Sequence, residues 1–208
     1  MNRKIKGLIE VLIIVTLFLL FSYLVQKNIS YFESLIVNDV LGILVFIFIE
    51  FISIVVAPVT TLPLIPIASN LWGWVLTGLI SIFAWSFGAW VAFVIGRKYG
   101  VQIIKKFISL KDIYRIEKKV PEESLFWTVV LLRLITPVDI LSYALGIFTK
   151  MDIRTYLFAT IIGITPFAFI FAYLGSVPIQ YQIISFLAFG VLILIGWVVR
   201  IIYKKYFK

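Results

Sequence analysis

The chain has no cysteine and no histidine, and only 14% of its 208 residues are charged. Without cysteine there is no disulfide framework and no thiolate chemistry. Without histidine the commonest general base near neutral pH and the commonest metal ligand are both missing. These absences exclude histidine-dependent phosphatases and Ser–His intramembrane proteases. No Gly-x-Gly-Asp motif occurs either. The reading is therefore not an enzyme, with no cofactor and no metal. No polar stretch within the chain is long enough to build a separate soluble domain.

What is present is apolar. Hydrophobic residues make up 62% of the chain, against about 45–50% in a soluble domain, where charged residues reach about 25%. Such a composition predicts an integral membrane protein. The net charge of +9 raises nucleic acid as a partner, but Lys and Arg stand in short runs beside apolar segments. That is the pattern that orients membrane proteins.

Six apolar segments follow in order. Leu8–Val25 is 18 residues long, about 27 Å as a helix, enough for a hydrocarbon core. Its basic approach resembles a signal peptide, but no small-residue cleavage site follows, so a retained helix is expected. Gln26–Val40 is polar and mixed in charge, a loop or short surface helix. Between Asp39 and Arg97 the one charged residue is Glu50. The middle of that span carries Pro58, Pro63 and Pro66, which no continuous helix tolerates. Trp72–Ile95 resumes as a helix, with small residues suited to close helix contacts. Arg97–Lys119 holds eight basic residues opposite apolar ones at helical spacing, as in an amphipathic helix lying on anionic lipid headgroups.

The stretch Val120–Lys150 is apolar, yet carries Arg133, Thr136, Pro137, Asp139, Ser142 and Tyr143 in its middle. A charge at the centre of a bilayer costs about 2.5–3.5 kcal/mol on insertion scales. Two opposite charges split by a proline are not what an anchor needs. Tyr156–Leu174 is a helix containing Pro166, Gly175–Gln182 an uncharged turn, and Ile183–Ile202 a last helix before a basic tail.

If all six segments crossed, Arg97–Lys119 would lie outside, against the positive-inside tendency. If the segments around Pro58–Pro66 and Pro137 each enter and leave on one side, 17 of the 19 Lys and Arg face the cytoplasm. The expected fold is thus an all-α polytopic membrane protein, with about four transmembrane helices and two opposed re-entrant hairpins. The hairpins cover about 41–70 and 124–148, arranged like the inverted repeats of transporters. Residues 1–39 form a transmembrane helix and external connector, 40–176 the core, and 177–208 a transmembrane helix with a basic tail. Both termini face the cytoplasm.

Four stretches carry a likeness: P-L-I-P-I-A-S-N-L-W-G (63–73), I-G-R-K-Y-G (95–100), L-R-L-I-T-P-V-D-I-L-S-Y-A-L-G (132–146) and G-I-T-P-F-A-F-I-F-A-Y-L-G-S (163–176). In this order they resemble the VTT (SNARE-associated) branch of the DedA superfamily. The Pro-Gly-Glu of the DedA branch proper is replaced near Pro58 by Pro-Val-Thr. The second hairpin fits the VTT branch through Asp139, Ser142, Tyr143 and Gly146. The resemblance implies opposed re-entrant hairpins and movement of lipids across a bacterial cell membrane, such as undecaprenyl phosphate or phospholipid, with proton coupling proposed. It also implies functional roles for embedded acids and arginines, here Glu50, Asp139, Arg133 and Arg97.

The residues allow two readings at each position. The Arg133 fork fits a phosphate bidentately, or it forms a structural pair with Asp139. Glu50 and Asp139, weighed between burial and a nearby guanidinium, suit proton exchange; alternatively Glu50 snorkels or caps a broken helix and Asp139 caps the one after Pro137. Pro58, Pro63, Pro66, Pro137 and Pro166 shape the hairpins. Tyr143 and Asn70 either donate to phosphate or pack. Arg97 ends a helix at the cytoplasmic face, where snorkelling suffices. Three functions fit: a flippase or scramblase, a proton- or cation-coupled solute transporter, or a membrane scaffold that transports nothing.

Overall fold

The computed structural model describes residues 3–35, 39–56, 60–100, 125–134 and 138–206. The described residues are helical and contain no strand. Pro58, Thr136, Pro137 and most of the Arg97–Lys119 block lie outside them, so the expected bend apices and amphipathic surface helix do too.

The elements are α1 (Arg3–Lys27), α2 (Ile29–Leu35), α3 (Asp39–Val55), a 3-10 turn (Leu62–Leu64), α4 (Ile65–Trp72), α5 (Trp74–Ile95) running into a π-helical turn (Gly96–Gly100), α6 (Leu125–Arg133), α7 (Val138–Phe148), α8 (Ile153–Ser176) and α9 (Ile179–Tyr206). Three helical stretches are long and apolar enough to cross a membrane, Ile9–Lys27, Trp74–Gly100 and Ile153–Ser176. The protein is therefore an integral membrane protein by its composition and its helices.

Prolines and polar caps set the helix boundaries. Pro63 and Pro66 stand in the first turns of the 3-10 helix and α4, where a missing N–H costs nothing. Gly73 separates α4 from α5 with φ of 80°, left-handed backbone that an L side chain rarely adopts. Asp152 caps α8 by accepting from the amides of Arg154 and Thr155.

Pro166 stands within a helix, as expected, but not at a hairpin bend. It lies inside α8, which continues through it, so it shapes no hairpin. Membrane helices tolerate such a residue when neighbouring groups re-satisfy the backbone. The hydroxyl of Thr165, beside it, donates to the Ile161 carbonyl at 2.6 Å. The expected turn over Gly175–Gln182 is also shorter: only Val177 and Pro178 separate α8 from α9.

Helix α5 is central and packs against α3, α4, α7 and α8. Its Ala84, Ala89, Ala92 and Phe93 are fully buried. Two antiparallel limb pairs lean on it. Ser53 Oγ lies 3.5 Å from Thr61 Oγ1, while the Phe46 and Trp72 rings meet at 5.8 Å, so the chain from α3 to α4 doubles back. The last residue of α6, Arg133, bonds to Val138 and Ser142 of α7, a second tight reversal. The two pairs touch where the end of α3 meets the middle of α7: Tyr143 Oη donates to the Val55 carbonyl at 2.7 Å. Helix α1 packs on α4 and α9.

Candidate functional site

Three charged side chains are buried among the described residues, Glu50, Arg133 and Asp139, and the first two each sit in a cradle of their own. Glu50, on α3, is fully buried. Ser81 Oγ of α5 donates to its Oε1 at 3.0 Å, and Trp85 of the next α5 turn stands beside the same carboxyl. Its Oε2 has no hydrogen-bond partner among the described residues. Ser53 donates to the Glu50 carbonyl at 2.7 Å.

Arg133 is 3% exposed. Its Nη1 donates to the Val138 carbonyl at 2.7 Å. Its Nη2 faces three hydroxyls: Ser142 at 3.1 Å, Tyr156 at 2.7 Å and Thr160 at 3.0 Å. Nε stays unpartnered among the described residues. Ser142 in turn donates to Val138, and Tyr156 donates to the Ala89 carbonyl of α5 at 3.0 Å while its ring stacks on Phe93 at 4.0 Å. Helix α8 can approach this closely because residue 163 is glycine. A Cβ there would stand 2.7 Å from Arg133 Cβ.

One helix therefore backs both cradles. Ser81 reaches Glu50, and Ala89 reaches Arg133 through Tyr156. Eight residues of rise separate these two contact points, about 12 Å along the axis. The acid of one limb pair and the guanidinium of the other are not joined in an ion pair.

Asp139 lies in the first turn of α7, where its charge opposes the positive end of the helix dipole. Its charge acts on Arg133 and on Tyr143, but among the described residues no ion pair within 4 Å joins it to Arg133. Arg133 thus holds neutral hydroxyls and a carbonyl instead of the carboxylate partner considered from sequence.

The remaining candidates hold the scaffold together. Tyr143 ties α7 to the end of α3. Arg97 Nη2 donates to the carbonyls of Thr149 and Met151 at 2.9 and 2.8 Å, and its guanidinium lies 4.3 Å from the Phe93 ring centre. It pins the loop after α7, which goes beyond snorkelling. Gly146 faces the Phe93 carbonyl and the Arg97 amide so closely that a Cβ would clash with both. Pro66 packs against Gly175, where a Cβ would stand 2.9 Å from its Cα. Asn70 Nδ2 bonds to the Pro66 and Gly175 carbonyls at 2.8 and 2.9 Å, a packing role.

Sequence reasoning missed Tyr156, Thr160 and Ser81 as the partners of these charges. The available signal was faint: polar residues four apart in otherwise apolar helices. It also missed a second polar cluster. Gln182 is fully buried and donates to Ser22 Oγ at 2.5 Å and the Val177 carbonyl at 2.7 Å. Gln26 donates to the same two atoms at 3.1 and 2.9 Å. This cluster joins α1, the end of α8 and the start of α9.

A family model, the VTT domain, matches residues 58–177, a range that contains Arg133, Asp139, Tyr156, Ser81 and the whole of α5. No curated protein and no solved structure gives a match.

Proposed function

The chain belongs to the VTT domain family, and from that premise we propose that it is a flippase- or scramblase-like carrier of a phosphate-bearing membrane lipid. Membership supports a membrane protein of transporter type. The cargo is argued from the charges.

The observation that carries the reading is the separation of Glu50 and Arg133. Each is buried, and among the described residues neither meets an opposite charge within ion-pair distance and each keeps one polar atom unused. Charges in a membrane interior are costly and normally pair with one another or mark a pathway. A purely structural design would join these two. Kept apart, the guanidinium suits an anionic headgroup, with its buried Nε unpartnered among the described residues and Asp139 nearby. The carboxyl, with no cation beside it, suits a proton. Phosphate entering beside Arg133 gains a fork-shaped donor, while the acyl tails remain in the surrounding lipid.

In this reading the α3–α4 and α6–α7 pairs are the two re-entrant hairpins, opposed and touching at Tyr143 and Val55. Helices α1, α5, α8 and α9 are the four spans. Both termini and the basic 97–119 segment face the cytoplasm of a bacterial cell, where that segment meets anionic headgroups. A coupled carrier of small solutes would use the same carboxyl, and its complete enclosure suits proton exchange whatever the cargo.

The test is reconstitution into vesicles carrying a headgroup-labelled phospholipid or a polyprenyl phosphate in one leaflet. Translocation that falls at least tenfold with Arg133→Gln supports the reading; 1.4 kcal/mol corresponds to each tenfold step. Unchanged lipid movement in that variant, or proton-driven solute flux without lipid movement, refutes it.

A further inference from the structure

Several serine and threonine hydroxyls of this protein are satisfied within their own helix, whereas three buried ones, Ser69, Thr77 and Ser86, have no partner among the described residues. Ser34, Ser53, Ser142, Thr149, Thr165 and Ser176 each donate to a carbonyl three or four residues earlier. That back-bond is the ordinary way for a hydroxyl to be satisfied inside a helix without water. Ser69 of α4 and Thr77 of α5 do not make it. They are 2% and 0% exposed, and among the described residues neither hydroxyl has a hydrogen-bond partner.

Both lie on the packed pair α4 and α5, and α5 is the helix that reaches Glu50. Thr77 is one turn before Ser81, the residue that donates to Glu50 Oε1, and the rise between them is about 6 Å. Ser69 is one turn after Ile65, which shares a core cluster with Trp85, the carboxyl's other neighbour. At the outer end of this line the indole N–H of Trp72 is also buried and unpartnered among the described residues, as Glu50 Oε2 is at the inner end. Four polar atoms thus share one want and one stretch of the α4–α5 junction. Buried water is what satisfies such groups, given two to four polar partners.

We propose that a file of buried water occupies the α4–α5 junction from Trp72 past Ser69 and Thr77 to Glu50. It gives the carboxyl a proton route that opens at the Gly73 end of the bundle, the face that carries Lys27. The opposite end of the carboxyl's surroundings is closed by Trp85 and the Tyr156–Arg133 cradle. The file deepens the reading above by naming how the acid meets water. It does not depend on the cargo, so labelling can succeed where lipid movement fails, and the reverse.

The cysteine-free chain makes the test direct. Thr77→Cys and Ser69→Cys are prepared in the full chain in vesicles, with Phe83→Cys as control, since Phe83 is 60% exposed on the outer face of α5. Methanethiosulfonate reagents react with a thiolate, which forms only where water reaches it. Aminoethyl methanethiosulfonate is applied to each side separately. In parallel, S–H to S–D exchange in D2O is followed by infrared spectroscopy, which needs no room for a reagent. The file predicts S–D exchange about tenfold or more faster at positions 69 and 77 than at 83, because thiol ionisation tracks hydration. Any modification should come from the Lys27 face. Equal exchange at all three positions overturns the inference, and so does modification from the opposite face alone.

Discussion

Tyr156 accepts a hydrogen bond from Arg133 Nη2 at 2.7 Å and passes one on to the Ala89 carbonyl at 3.0 Å. The phenol is therefore the joint through which the buried guanidinium is fixed to the central helix. Its ring, held against Phe93 at 4.0 Å, leaves it little freedom to turn. Whatever Arg133 binds, Tyr156 decides where the fork points.

Tyr156→Phe keeps the ring and removes the joint. It removes one of the three hydroxyls facing Nη2 and the tie to the Ala89 carbonyl, and a hydrogen bond to a charged group contributes about 1.5–3 kcal/mol. We expect a lower melting temperature in detergent and reduced lipid translocation. Wild-type translocation from a folded Tyr156→Phe protein would show that Arg133 is positioned without it.

Gly163→Ala places a methyl group 2.7 Å from Arg133 Cβ and 2.9 Å from its Cγ. Either α8 moves away from α6 or the arginine swings, and overpacking of this kind costs about 1–3 kcal/mol. The predicted result is a thermal midpoint lowered together with activity. Gly190→Ala is the control, since a Cβ there meets nothing within 4 Å, and it should leave both unchanged.

Glu50→Gln separates function from stability. The amide preserves the volume of the side chain and can still accept from Ser81. It removes a buried carboxyl that has no cation beside it, and such a group is a burden on the fold. The folded protein should melt at the same temperature or higher, while proton-dependent transport in vesicles is lost. A drop in thermal stability with transport intact would make Glu50 a structural residue. The pairing of higher stability with lost activity is the mark of a working site.

Tyr143→Phe cuts the bond to the Val55 carbonyl, where the two limb pairs meet. A single neutral hydrogen bond contributes about 0.5–1.5 kcal/mol net, so the protein should fold. Transport should fall if the two limb pairs must move together. Crosslinking between cysteines placed at Ile54 and Val138, which pack in one cluster, should become slower in the variant.

Much of the architecture is written in local sequence. The 62% apolar composition and the 18-residue run Leu8–Val25 declare membrane helices, because a backbone in hydrocarbon must satisfy its own hydrogen bonds. Pro63 and Pro66 mark where the first limb pair turns, since proline fixes φ and lacks a donor. Pro166 shows the limit of that rule. The same residue type that opens a helical turn at 63 lies inside a helix at 166, because neighbouring groups in a packed bundle can compensate for a missing N–H.

The unusual residues were legible too. Glu50 and Arg133 stand out because charge is rare in these apolar stretches. Composition shows that they need a partner but not which one. The sequence by itself determined a helical membrane protein with two broken segments, an acid in the first and an arginine–aspartate pair of charges in the second. Only the tertiary structure decided that Glu50 rests on Ser81, 31 residues away, and Arg133 on Tyr156, 23 residues away. Such contacts depend on how helices cross, which is set by side-chain packing between distant turns. Helical periodicity names the face a residue occupies; it carries no information about which helix that face will meet.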